Sequence, residues 1–169
     1  RNATLDDILS QLKQQRFLTV LGPAGLGKTR LAEAVAERAA VEASFPGGVV
    51  FCKLASSRSA WDALGVLAQR IGSPLTSGGD ITAAAADLAQ TLAHRPPTLV
   101  LLDNLEQLVG TLDQWLNILV RLSPETRWIT TSRRRLGLPI EGIYDVKPLS
   151  IPAGIQLFHQ RALELEISL

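Results

Sequence analysis

The feature that most constrains this fold is a glycine-rich octapeptide at residues 22–29, between a short apolar run and an alanine-rich stretch. It reads GPAGLGKT and fits the pattern G-x-x-x-x-G-K-[ST] at every fixed position. The apolar run, residues 17–21, predicts a buried strand, and residues 29–41 predict a helix with one apolar face. A strand, a glycine turn and a helix in this order are what a Walker A phosphate-binding loop requires.

The residue types in this loop suit a polyphosphate ligand. A helix N-terminus offers unpaired N–H groups and the positive end of the helix dipole, which favour anions. Gly22, Gly25 and Gly27 have no Cβ and tolerate positive φ, so main-chain amides can approach phosphate oxygens closely. Lys28 supplies a positive charge for the β- and γ-oxygens, and the Thr29 hydroxyl is placed to ligate Mg²⁺. The candidate nucleotide-binding residues are Gly22, Pro23, Ala24, Gly25, Leu26, Gly27, Lys28, Thr29 and Arg30. The alternative is a glycine turn before an ordinary helix with a solvated lysine, and the flanking strand and helix argue against it.

Predicted strands alternate with predicted helices along the whole chain. The strands are residues 17–21, 49–54, 98–102, 127–131 and 143–146, and the helices are residues 4–15, 29–41, 61–71, 81–93, 112–122 and 153–165. This alternation favours an α/β fold, a three-layer αβα sandwich with a five-stranded parallel sheet. We expect an N-terminal helix over residues 1–15, a nucleotide-binding domain over 16–150, and a C-terminal helix over 151–169 that begins a truncated downstream region. Because the chain has no methionine and ends within an apolar pattern, we expect a domain excised from a longer protein.

A second half of the site is predicted where the third strand ends. Four apolar residues precede Asp103, and ligands of open α/β sheets bind at the carboxyl edge. We therefore expect Asp103 to hold Mg²⁺ through a water, although an aspartate beginning the next turn is the alternative. Many ATPases carry a water-activating glutamate at the next position, where this chain has Asn104. Glu106 could substitute for it or be a solvated turn residue, and weak hydrolysis is expected.

The fourth predicted strand ends in hydroxyl residues followed by three arginines, Thr130-Thr131-Ser132-Arg133-Arg134-Arg135. A hydroxyl pair and the Arg133 guanidinium at this edge are placed to sense a γ-phosphate, because arginine binds phosphate oxygens in a bidentate manner. Arg134 and Arg135 are expected in a solvated loop. The catalytic candidates are therefore Lys28, Asp103, Arg133 and Glu106. No guanine-reading N-K-x-D sequence is present, so adenine is favoured over guanine.

Composition excludes several other classes of function. The net charge of +1 gives no electrostatic argument for direct contact with nucleic acid or an anionic membrane. Cys52 is the single cysteine, so an internal disulfide is excluded, and its apolar neighbours predict a buried, inert thiol. The sequence has neither an apolar stretch of membrane-spanning length nor a signal-peptide pattern. A cytoplasmic location is expected.

Four sequence elements together resemble one family. They are residues 21–32 (LGPAGLGKTRLA), 101–108 (LLDNLEQL), 131–133 (TSR), and 148–150 (PLS) leading to Leu157-Phe158. Over about residues 16–162 the chain resembles the nucleotide-binding domain of STAND-class, NB-ARC-type ATPases, and most of all the ATPase module of large bacterial transcriptional regulators.

The resemblance implies an ASCE-type P-loop sheet in which the strand of residues 131–133 lies between the two Walker strands. It also implies ADP in a closed resting state, ATP in an open oligomerising state, and a γ-phosphate-sensing role for Arg133. We expect this excised chain to lack the family's downstream subdomains and their ADP-contacting histidine. His94 and His159 do not occupy that place and are expected at the surface, and Arg1 is a candidate remnant of the upstream adenine-binding segment.

Three function classes compete. The first is an ATP/ADP-binding switch module of a signalling or transcription-regulating protein, with slow or no hydrolysis. Its expected partners are Mg-nucleotide, the rest of its own longer chain and an ATP-dependent homo-oligomer, without nucleic acid or membrane. The second is an AAA-type or other P-loop ATPase, or a kinase, with faster turnover. The third is a degenerate P-loop scaffold, against which intact Lys28, Thr29 and Asp103 argue.

Overall fold

The computed structural model describes residues 2–42, 44–76 and 78–147. The elements in chain order are α1 (Asn2–Gln14), β1 (Phe17–Leu21), α2 (Lys28–Val41), β2 (Val49–Lys53), α3 (Ala60–Ile71), α4 (Ile81–Ala93), β3 (Leu99–Asp103), two 3₁₀ turns (Leu105–Gln107 and Val109–Thr111), α5 (Leu112–Leu122), β4 (Arg127–Ser132) and β5 (Gly142–Asp145). These elements confirm the predicted strands and helices within this part of the chain, with end points that differ by at most two residues. The two 3₁₀ turns were not predicted. The predicted C-terminal helix and the motif at residues 148–150 and 157–158 lie outside the described residues.

All five strands form one parallel sheet in the order β2-β3-β4-β1-β5. β4 lies between β1 and β3, which confirms the strand order implied by the family resemblance. Because the strands are parallel, the loop after β1, the end of β3 and the end of β4 meet at the same edge of the sheet. The residue pairing Leu21↔Ser132 brings the ends of β1 and β4 level with each other.

Helices cover both faces of the sheet, which confirms the three-layer αβα sandwich. Side chains of successive strand residues point to opposite faces. One set, including Leu18, Val20 and Ile129, packs in a core with apolar residues of α1 and α2. The other set, including Val100 and Trp128, packs with α3, α4 and α5. The order of elements and the alternation of strand residues together give two cores separated by the sheet.

Cys52 is fully buried in β2, as its apolar neighbours predict. Burial raises the pKa of the Cys52 thiol to about 12. Because the reactive species of cysteine is the thiolate, a neutral thiol of this kind acts as a small apolar side chain. The prediction of a buried thiol is confirmed.

Polar side chains fix the start of two of the helices on one face. At α3, the Asp62 amide donates to Ser59 Oγ (3.1 Å) and the Ser59 amide donates to Asp62 Oδ2 (3.0 Å). At α4, Asp80 Oδ1 accepts from the amides of Thr82 and Ala83. The reciprocal cap at α3 and the single oxygen that accepts two hydrogen bonds at α4 satisfy amides that have no partner within the helix.

Gly47 lies in the turn before β2, against the segment that leads into β3. Its amide donates to the Pro97 carbonyl (2.9 Å), and a Cβ built on Gly47 would overlap the Pro96 carbonyl oxygen and Thr98 Oγ1. We expect Gly47→Ala to lower the free energy of unfolding by about 2 kcal/mol, the range for overpacking against groups that cannot move freely. Urea unfolding followed by circular dichroism measures this change.

Gly65→Ala is the matched control for Gly47→Ala. Gly65 lies inside α3, and a Cβ there meets nothing within 4 Å apart from the helix itself. Because alanine is the better helix former, this variant is expected to be as stable as the parent chain or more stable. Equal losses in the two variants would contradict the packing argument at Gly47.

Candidate functional site

The residues predicted to form a site lie together at the carboxyl edge of the sheet. The loop of residues 22–29 connects β1 to α2, Asp103 ends β3, and Arg133 directly follows β4. The Thr29 hydroxyl donates to Asp103 across 74 positions of sequence. Parallel strand topology therefore brings the two predicted halves of the site into direct contact.

Two glycines give the loop its path. Gly25 (φ +82°) and Gly27 (φ +81°) have left-handed backbone angles, which favour glycine. A Cβ on either residue would meet nothing within 4 Å, so the backbone angle and not space requires glycine there. Gly27 is the N-cap of α2 and makes no side-chain capping hydrogen bond. The first amides of α2 are therefore available to an anion.

Gly22 is glycine for a different reason. Gly22 is not among the glycines with positive φ, so the tolerance of glycine for left-handed angles does not explain this position. A Cβ on Gly22 would lie 3.3 Å from Leu26 Cδ1 and 3.5 Å from Val146 Cβ. Its amide donates to the Ser132 carbonyl (3.2 Å). Close packing at the base of the loop, next to β4 and β5, therefore explains this glycine.

Lys28 is the buried cation of the site. The residue is 8% exposed, and its Nζ donates to the Pro23 carbonyl (2.9 Å), so the side chain folds back under its own loop. Burial lowers the pKa of Lys28; the charge of Glu106 opposes this shift, Arg133 adds to it, and Asp103 opposes it. Lys28 thus lies within electrostatic range of every other predicted catalytic residue.

Asp103 is held by two hydroxyl groups. The residue is 4% exposed, and its Oδ1 accepts from Thr29 Oγ1 (2.8 Å) and from Thr131 Oγ1. Thr131 Oγ1 in turn accepts from the Asn104 amide (3.0 Å). Hydroxyl and carboxylate oxygens are the ligand type that Mg²⁺ prefers, so Thr29 and Asp103 fit a magnesium site.

A magnesium ion at Thr29 and Asp103 would need further ligands. Within residues 2–42, 44–76 and 78–147, no group of three or more His, Cys, Asp or Glu side chains could hold a metal. Magnesium commonly keeps several waters and binds through one or two protein ligands plus phosphate oxygens. The donor set therefore suits magnesium that arrives with a phosphate ligand better than a permanently bound ion.

The hydroxyl groups at the end of β4 do not face the open loop. Thr130 Oγ1 lies 3.0 Å from Thr19 Oγ1, and both residues are fully buried within the sheet. Thr131 donates to Asp103, and Ser132 Oγ donates to the Arg134 carbonyl (2.6 Å). The prediction that a hydroxyl pair here contacts a γ-phosphate is therefore wrong, because each of these hydroxyls has a partner within the chain. Arg133, which directly follows these hydroxyl residues, is exposed.

Glu106 and Arg133 form an ion pair. Glu106 Oε1 lies 2.9 Å from Arg133 Nε, with side chains 19% and 61% exposed respectively. The sequence left Glu106 as either a substitute base or a solvated turn residue. A largely buried carboxylate in an ion pair is not a solvated turn residue, so that alternative is excluded.

The backbone at Asn104 explains how Glu106 reaches the site. Asn104 has φ +66° and is the single non-glycine residue with positive φ in the described part of the chain. Asparagine tolerates this left-handed conformation better than most residues. It ends β3 abruptly and begins the 3₁₀ turn Leu105–Gln107, on which Glu106 lies.

Two residues for which the sequence predicted no role in the site hold this turn in place. Arg134, predicted to be in a solvated loop, donates from Nε (3.2 Å) and Nη2 (2.7 Å) to the Glu106 carbonyl. Gln107 Nε2 donates to the carbonyls of Leu54 (2.6 Å) and Ala55 (3.1 Å) after β2. The turn is therefore anchored to the chain segments that follow both neighbouring strands. No sequence signal marked these contacts, because their acceptors are backbone carbonyls far away in the chain.

The remaining candidates lie at the surface or outside the described residues. Arg30 is exposed in the first turn of α2, and Arg135 is exposed after β4. His94 is exposed at the end of α4, where its Nδ1 lies 2.7 Å from the Gln90 carbonyl oxygen, as predicted for a surface residue. Arg1 and His159 lie outside the described residues. Among the described helices, none is long and apolar enough to cross a membrane.

Comparison with known families and proteins agrees with this geometry. A family model described as an AAA domain matches residues 10–133, a range that includes the glycine loop, Asp103 and Arg133. The chain is 31% identical over 164 residues to Mycobacterium tuberculosis "Uncharacterized protein Rv0894", covering 96% of this chain and 40% of that protein. It is 28% identical over 156 residues to M. tuberculosis "Putative HTH-type transcriptional regulator Rv0890c", covering 92% of this chain and 17% of that protein. The chain thus spans less than half the length of these relatives.

Solved structures show the same fold. The Aeropyrum pernix ORC1 protein, solved in complex with DNA, superposes with a TM-score of 0.75 at 20% identity, covering 97% of this chain and 49% of that one. A STAND protein with a tetratricopeptide repeat sensor from Pyrococcus horikoshii superposes with a TM-score of 0.53 at 20% identity, covering 95% of this chain and 25% of that one. At these identities the likeness establishes the fold alone.

Proposed function

The chain belongs to the AAA domain family of P-loop ATPases, and from this premise we propose that it is the ATP/ADP-binding switch module of a larger STAND-class signalling or transcription-regulating protein. The observation that carries the proposal is the meeting of a buried lysine, a hydroxyl-held aspartate and an arginine at one sheet edge. The 28% identity to a protein named as a transcriptional regulator supports the finer class, and the fold shared with a STAND protein is compatible with it.

The proposed roles follow from the geometry. Residues 22–30 wrap the phosphates, mainly through main-chain amides at the start of α2. Lys28 exchanges its hydrogen bond to the Pro23 carbonyl for phosphate oxygens. Thr29 and Asp103 hold Mg²⁺, which when bound neutralises charge on the β- and γ-phosphates. Arg133 contacts the γ-phosphate. The missing guanine-reading sequence supports adenine as the base.

Slow hydrolysis is part of the proposal. Asn104 cannot accept a proton from water, and Glu106 is paired with Arg133. The two carboxylates whose charges act on Lys28 are the paired Glu106 and the hydroxyl-held Asp103. In a module of this kind, the signal is the identity of the bound nucleotide, ATP or ADP, and rapid hydrolysis is not needed.

The proposal also covers organisation and partners. We propose an N-terminal helix over residues 1–15, a nucleotide-binding domain over 16–150 and a downstream region from 151. The partners are Mg-nucleotide, the rest of a longer chain and, in the ATP state, further copies of the protein. The near-zero net charge supports a module that does not itself contact nucleic acid or membrane, although the ORC1 structure named above contains DNA. A cytoplasmic location belongs to the same proposal.

A second candidate is an AAA-type ATPase with faster turnover, which the family match itself favours. Titration with Mg-ATP, Mg-ADP and Mg-GTP, combined with phosphate release, separates the two. We expect both adenine nucleotides to bind more tightly than GTP, with turnover well below about 1 s⁻¹, against about 10 s⁻¹ for a median enzyme. Removal of Mg²⁺ by chelation should weaken ATP binding. Turnover near the median value would favour the second candidate, and a chain that binds none of the nucleotides would contradict both.

A further inference from the structure

The carboxylate of Glu106 is only partly satisfied within the chain. Oε1 pairs with Arg133 Nε (2.9 Å), whereas Oε2 is buried and has no hydrogen-bond partner among the described residues. Leaving a buried acceptor without a partner is costly, and the cost is larger for an ionised group. Such an arrangement persists where nearby positive charge offsets the cost.

Two cations supply that positive charge. Arg133 is the ion-pair partner, and Lys28 is the buried ammonium of the loop. Among the charges that act on Lys28, Glu106 raises its pKa more than Asp103 does. Glu106 is therefore paired with Arg133 and also acts on the charge of Lys28.

The position of Glu106 is built into the fold. The left-handed turn at Asn104 directs the chain into the site. Arg134 holds the Glu106 carbonyl, and Gln107 holds the segment after β2. Because the backbone is anchored on both sides, the fold itself holds the carboxylate beside the two cations.

A γ-phosphate would bring negative oxygens to the same two cations. We infer that Glu106 acts as an internal substitute for the γ-phosphate, so that it competes with ATP and makes the site prefer ADP. ADP has no γ-phosphate and leaves the ion pair with Arg133 intact, whereas ATP must displace the carboxylate from Arg133. This inference rests on the proposed function, because it requires Lys28 and Arg133 to face the phosphates.

A role of Glu106 as a general base predicts a different outcome. A base acts on the attacking water, so its removal lowers turnover and leaves nucleotide affinity nearly unchanged. A phosphate substitute acts on binding, so its removal raises ATP affinity selectively. The two roles are therefore separated by dissociation constants measured independently of hydrolysis.

The test measures dissociation constants of Mg-ATP and Mg-ADP for the parent chain and for Glu106→Gln, by calorimetric or fluorescence titration. Glutamine keeps the size of the side chain and removes its charge. We expect ATP to bind about tenfold more tightly to Glu106→Gln, because the variant loses one charge-assisted contact that competes with the γ-phosphate. The dissociation constant of ADP should change by less than about threefold. Glu125→Gln is the matched control: it removes the same charge from an exposed residue just before β4, at the opposite edge of the sheet, and should change neither constant.

A second variant guards against misfolding of the first. Glu106→Asp keeps the charge but shortens the reach to Arg133, so the affinity ratio should move toward ATP by a smaller factor. If the parent chain binds both nucleotides and neither variant changes their ratio, the inference is wrong and the proposed function stands. If the parent chain binds neither nucleotide, the proposed function fails and the inference fails with it.

Discussion

Lys28→Ala is expected to weaken the binding of ATP and ADP by at least about tenfold and by up to about a thousandfold, the range for losing a buried charge-assisted contact. The side chain is almost fully buried beneath the loop, where its Nζ donates to the Pro23 carbonyl. An alanine leaves the phosphate charge uncompensated by that ammonium. Titration with both nucleotides measures the loss, and circular dichroism checks that the variant is folded.

Lys13→Ala is the matched control for the lysine substitution. Lys13 is exposed near the end of α1, just before β1 and therefore at the edge of the sheet opposite the loop. Its removal changes the net charge by the same amount, so an unspecific charge effect would appear in both variants. Equal affinities for all three proteins would refute the assignment of the site.

Asp103→Asn is expected to reduce the contribution of Mg²⁺ to ATP binding by about a hundredfold, since even residues that only support a metal ligand contribute tenfold or more. The Asp103 carboxylate is buried and accepts hydrogen bonds from Thr29 and Thr131. The amide has no negative charge and has one oxygen instead of two. Titration of ATP binding over a range of Mg²⁺ concentrations measures the effect, with affinity in chelator as the baseline.

Asp145→Asn is the control for this substitution. Asp145 ends β5, an exposed position at the same edge of the sheet but on the other side of β1. Its loss should leave the Mg²⁺ dependence unchanged. If both variants shifted the Mg²⁺ dependence alike, the metal site would not be localised to Asp103.

Much of the fold could be predicted because it follows from local patterns. Apolar runs of about five residues gave the strands, and the glycine loop between a strand and a helix fixed the chain direction at the site. The order of β1, β4 and β3 came from the family resemblance. The fit of Asp103 beside Thr29 followed because parallel strands end at a common edge.

Other features of the site depended on information that residue types do not give. The left-handed backbone at Asn104 directs the turn that carries Glu106 toward the site. Asparagine adopts this conformation only in some contexts, so the residue type alone did not predict it. Arg134 is exposed, as predicted, but its hydrogen bonds to the Glu106 carbonyl could not be predicted from its residue type. The hydroxyls were a different kind of error. Adjacent strand residues face opposite sides, so Thr130 and Thr131 could not both point at one ligand.

The paired hydroxyls of Thr19 and Thr130 have a consequence for how accurately the site is assembled. These residues are register partners in β1 and β4, and their hydroxyls contact each other where both residues are fully buried. A slip of one residue between β1 and β4 would separate the two hydroxyls and leave each without a partner in apolar surroundings. The cost in free energy would be about 1–3 kcal/mol for each hydroxyl. The buried pair therefore favours one register of β1 against β4. This register fixes the position of the loop that follows β1 relative to the arginine that follows β4.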